Sequence, residues 1–292
     1  MNCMRVAREG GSIAIFPEGN RTFSGETAYI NPAIGGLAKR LGLPIAFFKI
    51  EGGYGIQPRW SDVRRKGKMR AYVSRVLEPE EYKSMTNDEV YQLICKELYQ
   101  NEANAENSYY HKKSAEYVER VLYVCPHCGI THFESNGDTF KCCTCGRQAK
   151  YLPTTEISGD FPFRFMLDWY NYQQKYINEL DTRNLTNEPI IRDTCNLYLV
   201  NLCSKKQLLA ENVQLALYGD RIEMSGGYVK TFKFAEMETI TILGKNKLDI
   251  YHDDMVYQIQ SDKRFNAVKY LNLYHRYKNL TSEVQNGSFL GL

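Results

Sequence analysis

An acid, a glycine and a base stand close together near the start of this chain, as Glu18, Gly19 and Arg21 in the run Phe-Pro-Glu-Gly-Asn-Arg-Thr. An arginine can direct two parallel N–H groups at a phosphate, and a neighbouring carboxylate can orient it or accept bonds from substrate hydroxyls. The apolar residues 12–15 before the run predict a short buried strand, from whose end the proline and the glycine lead the backbone toward a cleft. The run predicts a site for a phosphorylated substrate, and a surface turn with one Glu–Arg ion pair is the alternative.

Four of the nine cysteines form two Cys-x-x-Cys-Gly motifs, with thirteen residues between the second and the third cysteine. This spacing is typical of a zinc ribbon, in which two loops each present two thiolates to one tetrahedral ion and each glycine permits the turn of its loop. Four thiolates leave no open coordination position, so the sequence predicts a structural Zn²⁺ rather than a catalytic one. The predicted ligands are Cys125, Cys128, Cys142 and Cys145.

Two alternatives concern these cysteines. Cys143 could replace Cys142 as a ligand, but the second motif would then become Cys-x-Cys, so we expect Cys143 not to bind. Disulfide bonds are the other alternative. We expect free thiols in a reducing cytoplasm instead, because no secretory signal is visible and four further cysteines are scattered singly, namely Cys3, Cys95, Cys195 and Cys203.

The apolar pattern predicts the elements that would position these residues. Residues 33–41 predict a helix, residues 43–50 and 71–76 predict strands, and residues 109–120 predict a second helix that leads into the ribbon. A hairpin is predicted within residues 131–141, with its turn at Asn-Gly-Asp between the two cysteine motifs.

After the ribbon, residues 153–159 predict a linker and residues 163–180 a helix that Trp169 would dock on a neighbouring unit. The last hundred residues predict seven strands and a helix whose apolar stripe could plug the open end of a small barrel. This pattern resembles a pleckstrin-homology-like domain, which implies an interaction module or a phosphoinositide site. We expect the interaction module, because the first hairpin has no basic cluster. The strands are residues 196–202, 213–217, 221–224, 228–234, 239–243, 247–251 and 256–260, and the helix is residues 264–277.

Roughly the first hundred residues resemble the glycerolipid acyltransferases, the family that acylates 1-acylglycerol-3-phosphate. In that family Phe-Pro-Glu-Gly is followed by Thr or Asn and then Arg, as in this chain. The resemblance implies that Glu18, Gly19 and Arg21 bind the acceptor phosphate, and that Pro44 and Ile45 border the acyl chain. It also implies two substrates, a lysophospholipid and an acyl thioester of coenzyme A or acyl carrier protein. For Pro44 and Ile45, a place in an ordinary apolar core is an equally open alternative.

The catalytic element of that family is absent from this sequence. It consists of a His, four arbitrary residues and an Asp, in which the His takes the proton of the acceptor hydroxyl and the Asp orients it. None of the five histidines has an aspartate five positions later. We therefore predict no catalytic residue. We expect the chain to be the C-terminal half of an acyltransferase domain, from an internal start or a truncated gene model, and to be inactive.

The net charge and the hydropathy of the sequence limit the kinds of partner that the chain could bind. The net charge of +3 is too small to predict nucleic-acid binding, and the longest apolar runs, such as residues 43–48, are too short to span a membrane. Membrane contact would therefore be peripheral, at the inner face of the membrane. Its best candidate is a basic cluster that could touch anionic lipid, with a solvated loop as the alternative. The cluster comprises Arg59, Arg64, Arg65, Lys66, Lys68, Arg70 and Arg75.

These patterns predict an α/β fold class for the partial acyltransferase domain, followed by a small zinc ribbon and a C-terminal β-barrel-like domain capped by a helix. The predicted function is a lysophospholipid acyltransferase of phospholipid biosynthesis, inactive in this form. The alternative is a non-enzymatic adaptor that binds a protein partner or a lipid surface through its ribbon and PH-like domain. The predicted boundaries are residues 1–103 for the α/β part, 104–152 for helix and ribbon, 153–185 for linker and helix, 186–280 for the PH-like domain and 281–292 for a tail.

Overall fold

The computed structural model describes residues 2–104, 107–201 and 206–281. Its first part consists of two antiparallel strands with helices packed against one face. The predicted helix at residues 33–41 and both predicted strands are present, with strand ends that differ by one or two residues. The elements are α1 (Asn2–Arg8), α2 (Ala33–Leu41), β1 (Ile45–Glu51), α3 (Gly53–Ile56), β2 (Arg70–Leu77), α4 (Pro79–Tyr82) and α5 (Asn87–Leu98).

Side chains alternate between the two faces of the β1–β2 pair, because successive residues of a strand point to opposite sides. Phe47 and Leu77 face the helices and form a small core with Tyr82, Val90 and Ile94. The register shifts by one residue after Phe47, so that the strand pair contains a β-bulge. This core fixes α2 and α5 on one side of the sheet.

Helices α2 and α5 approach each other closely. Helix α5 begins at a capping box, in which Thr86 Oγ1 accepts from Glu89 N and the Glu89 carboxylate accepts from Thr86 N. Gly35 of α2 lies against this end of α5, and a Cβ at Gly35 would be only 2.1 Å from Asn87 O. A glycine is therefore required where the two helices meet.

Residues 12–15 do not form the predicted strand. They have no regular structure, Ile15 is exposed, and Phe16 after them is 82% exposed. Among the described residues, the sheet of this part contains β1 and β2 alone, and neither strand pairs with residues 12–15. A strand is held by hydrogen bonds to a neighbouring strand and by a buried face, and this segment has neither.

The middle of the chain forms two small antiparallel sheets, one of two strands and one of four. The predicted hairpin between the cysteine motifs is present, with Phe133 opposite Cys142 and a turn at Gly137 and Asp138. The elements are a 3₁₀ helix (Val118–Arg120), β3 (Val124–Cys125), β4 (Gly129–Ile130), β5 (Phe133–Asn136), β6 (Thr139–Cys142), β7 (Gln148–Tyr151) and β8 (Ile157–Gly159).

The predicted helix at residues 109–120 is wrong. Apart from the 3₁₀ helix at its end, this segment consists of turns and irregular structure. Tyr110 exchanges backbone hydrogen bonds with Lys66, and Tyr117 has a left-handed φ of +75°, which a continuous helix does not allow. The ring of Tyr109 packs on Gly55. Contacts with a distant loop thus replace the local helical hydrogen bonds.

Residues 153–159 are part of the folded body rather than a linker. Their last three residues form β8, which pairs with β7, and the buried Thr155 hydroxyl donates to Ala103 O at 2.7 Å. The predicted helix at residues 163–180 is present as α6 (Met166–Glu179). Trp169 on this helix is fully buried among Phe133, Phe140 and other rings of the ribbon, so its predicted docking role is confirmed.

The last part of the chain is a seven-stranded antiparallel sheet that curls into a half-barrel. All seven predicted strands are present within the described residues, although residue 202, the predicted end of the first strand, lies outside them. The spatial order is β12-β11-β10-β9-β15-β14-β13. The strands are β9 (Ile191–Val200), β10 (Gln207–Leu217), β11 (Arg221–Ser225), β12 (Lys230–Lys233), β13 (Thr239–Leu243), β14 (Lys247–His252) and β15 (Met255–Gln260), preceded by a second 3₁₀ helix (Thr182–Asn184).

The predicted C-terminal helix is present as α7 (Val268–Thr281), which begins and ends four residues later than predicted and packs against β13 and α6. Val268 and Tyr274 are fully buried, and the Tyr274 hydroxyl donates toward Met237 O at 3.4 Å. Asn272 of the same helix donates to Tyr123 OH at 2.6 Å, in the segment that leads into the ribbon. The buried side chains of ribbon, α6 and half-barrel form one continuous hydrophobic core.

Candidate metal centre and predicted phosphate site

The four cysteines predicted as ligands lie together in the fold. Their Sγ atoms are all within 4.8 Å of one another, with 3.9 Å between Cys125 and Cys145 and 4.0 Å between Cys128 and Cys142. Thiolates are soft, strong metal ligands, so the cluster could hold a metal ion. Cys143 is exposed and is not part of the cluster, as expected.

Two tight loops bring these thiols to one point. Gly129 and Gly146 follow the two motifs and have left-handed φ values of +76° and +73°, which a glycine adopts without steric cost. Cys125 lies opposite Gly129 in the β3–β4 pair, and its sulfur accepts from His127 N at 3.5 Å. Backbone N–H groups directed at sulfur are typical of metal-binding cysteine loops.

The thiols differ in their ease of ionisation. A hydrogen bond from the Arg147 backbone lowers the pKa of Cys145 to about 6, whereas burial raises the pKa of Cys128 to about 12. The backbone hydrogen bond thus favours the thiolate of Cys145, which is the form of cysteine that binds a metal. All cysteines in the part of the chain that the structure describes are free, so the disulfide alternative is wrong for them.

Helix α6 holds the first cysteine loop in place. Gln173 Oε1 accepts from the backbone N–H groups of Tyr123 and Val124, at 2.7 and 3.0 Å, and its amide nitrogen donates to Val121 O. Trp169 Nε1 donates to Val124 O at 2.8 Å. Two side chains of one helix thus satisfy the backbone of the strand that ends at Cys125. No sequence pattern indicated this use of a buried glutamine.

The predicted phosphate residues lie on a loop at the surface. Arg21 is exposed and donates one long hydrogen bond, of 3.4 Å, to Gln57 O. Glu18 is half-buried and accepts from Ala28 N at 2.7 Å, and burial raises its pKa. No ion pair joins these two side chains in the described structure, so Glu18 does not orient the guanidinium. Gly19 is exposed between them.

Pro44 and Ile45 occupy different environments. Pro44 is exposed just before β1, whereas Ile45 packs against the small core of Phe47 and Leu77 beneath the helices. Ile45 therefore lies on the covered face of the sheet, away from the open one. The opposite face carries Phe48, one position after the buried Phe47. Because side chains alternate along the strand, the predicted acyl-chain residue Ile45 faces the helices, and the exposed apolar side chain is Phe48 instead.

The predicted basic cluster contains buried, ion-paired and exposed side chains. Arg59 and Arg65 are buried, and Arg75 is paired with Glu81 and Glu97. Arg65 donates to Gly55 O and Ser114 O and lies over the Trp60 ring at 5.1 Å. These side chains are unavailable to a lipid surface. Contact with anionic lipid stays a prediction for the exposed members, which are Arg64, Lys66, Lys68 and Arg70, the last of them paired with Glu51.

Sequence reasoning missed a polar junction at which the three parts of the fold meet. Arg120, beside the ribbon, is only 2% exposed and forms an ion pair with Asp62 of the α/β part. Lys245, in the turn between β13 and β14, contacts the same carboxylate at 2.7 Å. Arg59 donates to Gly244 O in that turn at 2.9 Å. The partners are far apart in the sequence, so no local pattern could have indicated them.

No helix of the described residues is long and apolar enough to cross a lipid bilayer. Comparison with protein-family models and with characterised proteins finds no match to this chain. The site geometry therefore carries the functional argument alone.

Proposed function

We propose that the α/β part is the phosphate-binding half of a lysophospholipid acyltransferase site, carried on a rigid body made of a zinc ribbon and a PH-like half-barrel. In this form the chain does not transfer acyl groups. Arg21 binds the acceptor phosphate, and Glu18 is available to substrate hydroxyls. The acyl chain lies on the open face of the β1–β2 sheet, opposite the face that carries Ile45.

One observation carries the proposal: both faces of the β1–β2 sheet carry apolar side chains, but helices of the described residues cover one face alone. On the other face Phe48, Ile50, Val73 and Val76 are 44–56% exposed. The solvated face of an antiparallel sheet is commonly polar, so an apolar open face on this antiparallel pair favours a partner that covers it. An apolar patch of this kind marks a binding surface, and a hydrocarbon chain is a ligand that it would favour.

The chemistry explains why the chain is inactive in this proposal. Acyl transfer requires that the acceptor hydroxyl lose a proton as its oxygen attacks the thioester carbonyl. Arg21 can hold a phosphate but cannot accept a proton, because its guanidinium stays protonated at neutral pH. A positioned general base contributes about 10² to 10⁴ in rate. The sequence offers no His-x4-Asp pair to supply one.

We further propose that the cysteine cluster holds Zn²⁺. Four sulfurs at the Zn–S distance of ~2.3 Å around a tetrahedral ion would lie about 3.8 Å apart. The Cys125–Cys145 and Cys128–Cys142 distances between Sγ atoms, 3.9 and 4.0 Å, agree with that spacing. Four thiolates fill the coordination sphere, so the ion would stabilise the two loops and would have no open position for a substrate.

Binding of lysophosphatidate by the 292-residue chain tests the phosphate role. Monoacylglycerol with the same acyl chain serves as the uncharged reference ligand. Arg21→Ala should weaken lysophosphatidate binding at least tenfold and leave monoacylglycerol binding unchanged, because charged hydrogen bonds to phosphate are strong. Phe48→Ser should weaken binding of both ligands. Arg183→Ala, which changes an exposed arginine of the second 3₁₀ helix, is the matched control.

Each outcome of these measurements has a meaning. Equal lysophosphatidate binding by the wild-type chain and by Arg21→Ala would contradict the phosphate site. Absence of binding to either lipid would favour the non-enzymatic adaptor, which acts through the ribbon and the PH-like domain. Acyl transfer from a long-chain acyl thioester that Arg21→Ala abolishes would contradict the proposed inactivity and require an unidentified base.

A further inference from the structure

Two arginines from separate loops meet at the predicted phosphate motif. Arg59 Nη1 donates to the backbone carbonyl of Arg21 at 3.2 Å, and the Arg59 guanidinium lies 4.2 Å from the ring centroid of Phe23. Arg59 also donates through Nε to Gly244 O at 2.9 Å and through Nη2 to Ile242 O at 3.1 Å. It therefore joins the motif backbone to the β13–β14 turn of the half-barrel.

The positive charge of Arg59 has no carboxylate partner in the described structure. The side chain is 8% exposed, and all its hydrogen-bond acceptors are backbone carbonyls. Burial, with Arg21 nearby, lowers the pKa of Arg59 to about 10. A buried charge without a counterion is costly, and a second like charge beside it adds to that cost.

The Asp62 carboxylate at this junction is already occupied. Asp62 accepts two hydrogen bonds from Arg120, each of 2.9 Å, and contacts Lys245 as well. One carboxylate thus faces two cations before Arg59 and Arg21 are counted. The described junction therefore carries an excess of positive charge next to the exposed guanidinium of Arg21.

We infer that Arg59 is a second cationic residue of an anion site in which Arg21 makes the direct contact and a phosphate monoester is the ligand. This inference rests on the proposed phosphate role of Arg21. Two guanidinium charges match a phosphate dianion better than a monoanion, because each adds a favourable Coulomb interaction. Arg59 is a positioning residue: it holds the Arg21 backbone and supplies charge without itself reaching the ligand.

Calorimetric titration of the 292-residue chain with sn-glycerol 3-phosphate and with dimethyl phosphate tests the inference. The first probe is largely a dianion at pH 7.5 and the second is a monoanion. Arg59→Gln should weaken binding of the dianion about tenfold and that of the monoanion less, which lowers the selectivity between the two. Arg59→Lys keeps the charge but loses the three carbonyl bonds, and it should retain the selectivity. Arg183→Gln, at an exposed arginine of the second 3₁₀ helix, is the control and should change neither affinity.

The outcomes separate this inference from the proposed function. If Arg21→Gln loses dianion binding while Arg59→Gln binds like the wild-type chain, the role of Arg59 is wrong and the phosphate site stands. If the wild-type chain binds neither anion, both are wrong. Circular dichroism verifies that each variant is folded. Should Arg59→Gln not fold, Arg59→Lys decides: a loss of selectivity there would show a structural clamp alone and overturn the inference.

Discussion

Arg120 and Asp62 form a two-pronged ion pair between the ribbon and the α/β part, with Nη1–Oδ1 and Nη2–Oδ2 distances of 2.9 Å. The arginine also donates to Trp60 O at 3.0 Å and to Lys263 O, ahead of α7. A single side chain thus contacts all three parts of the fold. Because Arg120 is buried and Asp62 is partly exposed, the desolvation cost falls mostly on the cation.

Replacement of Arg120 by Met should lower the free energy of unfolding by about 3 kcal/mol, because breaking a buried ion pair leaves its remaining partner groups unsatisfied. Urea unfolding followed by circular dichroism measures this loss. Arg183→Met is the matched control, since Arg183 pairs with Asp181 at the surface. The control should cost less than about 1 kcal/mol. Equal losses in the two variants would show that burial of Arg120 does not matter.

The same pair predicts a pH dependence. Hydrogen bonds from Arg120, followed by Lys245, lower the pKa of Asp62 to about 2 from its ordinary 3.8. A lowered pKa in the folded state stabilises the fold above the ordinary pKa, and that contribution is lost as the pH falls through about 2. The difference in unfolding free energy between the wild-type chain and Arg120→Met should therefore be largest at pH 5 and shrink toward pH 2. A difference that does not change with pH would contradict the pairing.

Loss of the metal should unfold the cysteine loops. Cys128→Ser and Cys145→Ser should each abolish binding of the proposed zinc ion, because a structural site loses its tetrahedral ligand set and metal binding is coupled to folding. Elemental analysis of the purified chain gives the metal content directly. Cys143→Ser should retain one zinc ion per chain. Absence of stoichiometric metal in the wild-type chain would refute the zinc centre.

Substitution by alanine at two neighbouring glycines of α2 should change the stability of the chain in opposite directions. A Cβ at Gly35 would meet Asn87 O at 2.1 Å, whereas one at Gly36 would first meet the Asn87 side chain at an ordinary 3.5 Å. Gly35→Ala should therefore destabilise the chain by about 1–3 kcal/mol through overpacking. Gly36→Ala should stabilise it by up to ~1 kcal/mol, because alanine favours the helix. Thermal unfolding of both variants tests the packing of α2 on α5.

Local signals predicted the parts of the fold that depend on nearby residues. The Cys-x-x-Cys-Gly motifs indicated the four clustered thiols, and alternating apolar residues indicated the seven strands of the half-barrel. The prediction of a helix at residues 109–120 failed because Tyr109 and Tyr110 contact a loop more than forty positions earlier in the sequence. Arg59 and Arg120 resemble solvent-exposed bases in the sequence, and only tertiary contacts show that they are buried.

The shared core of ribbon and half-barrel determines how this chain would melt. Trp169 and the rings around it belong to the same buried cluster as Leu197 and Tyr274 of the half-barrel. Units that share a core unfold in one cooperative step, so a calorimeter should record a single heat-absorption peak for the two. Withdrawing the proposed zinc ion would then lower the melting temperature of half-barrel strands that lie outside the cysteine cluster. Neither unit would behave as an exchangeable module, because excising one would expose the aromatic side chains that the other covers.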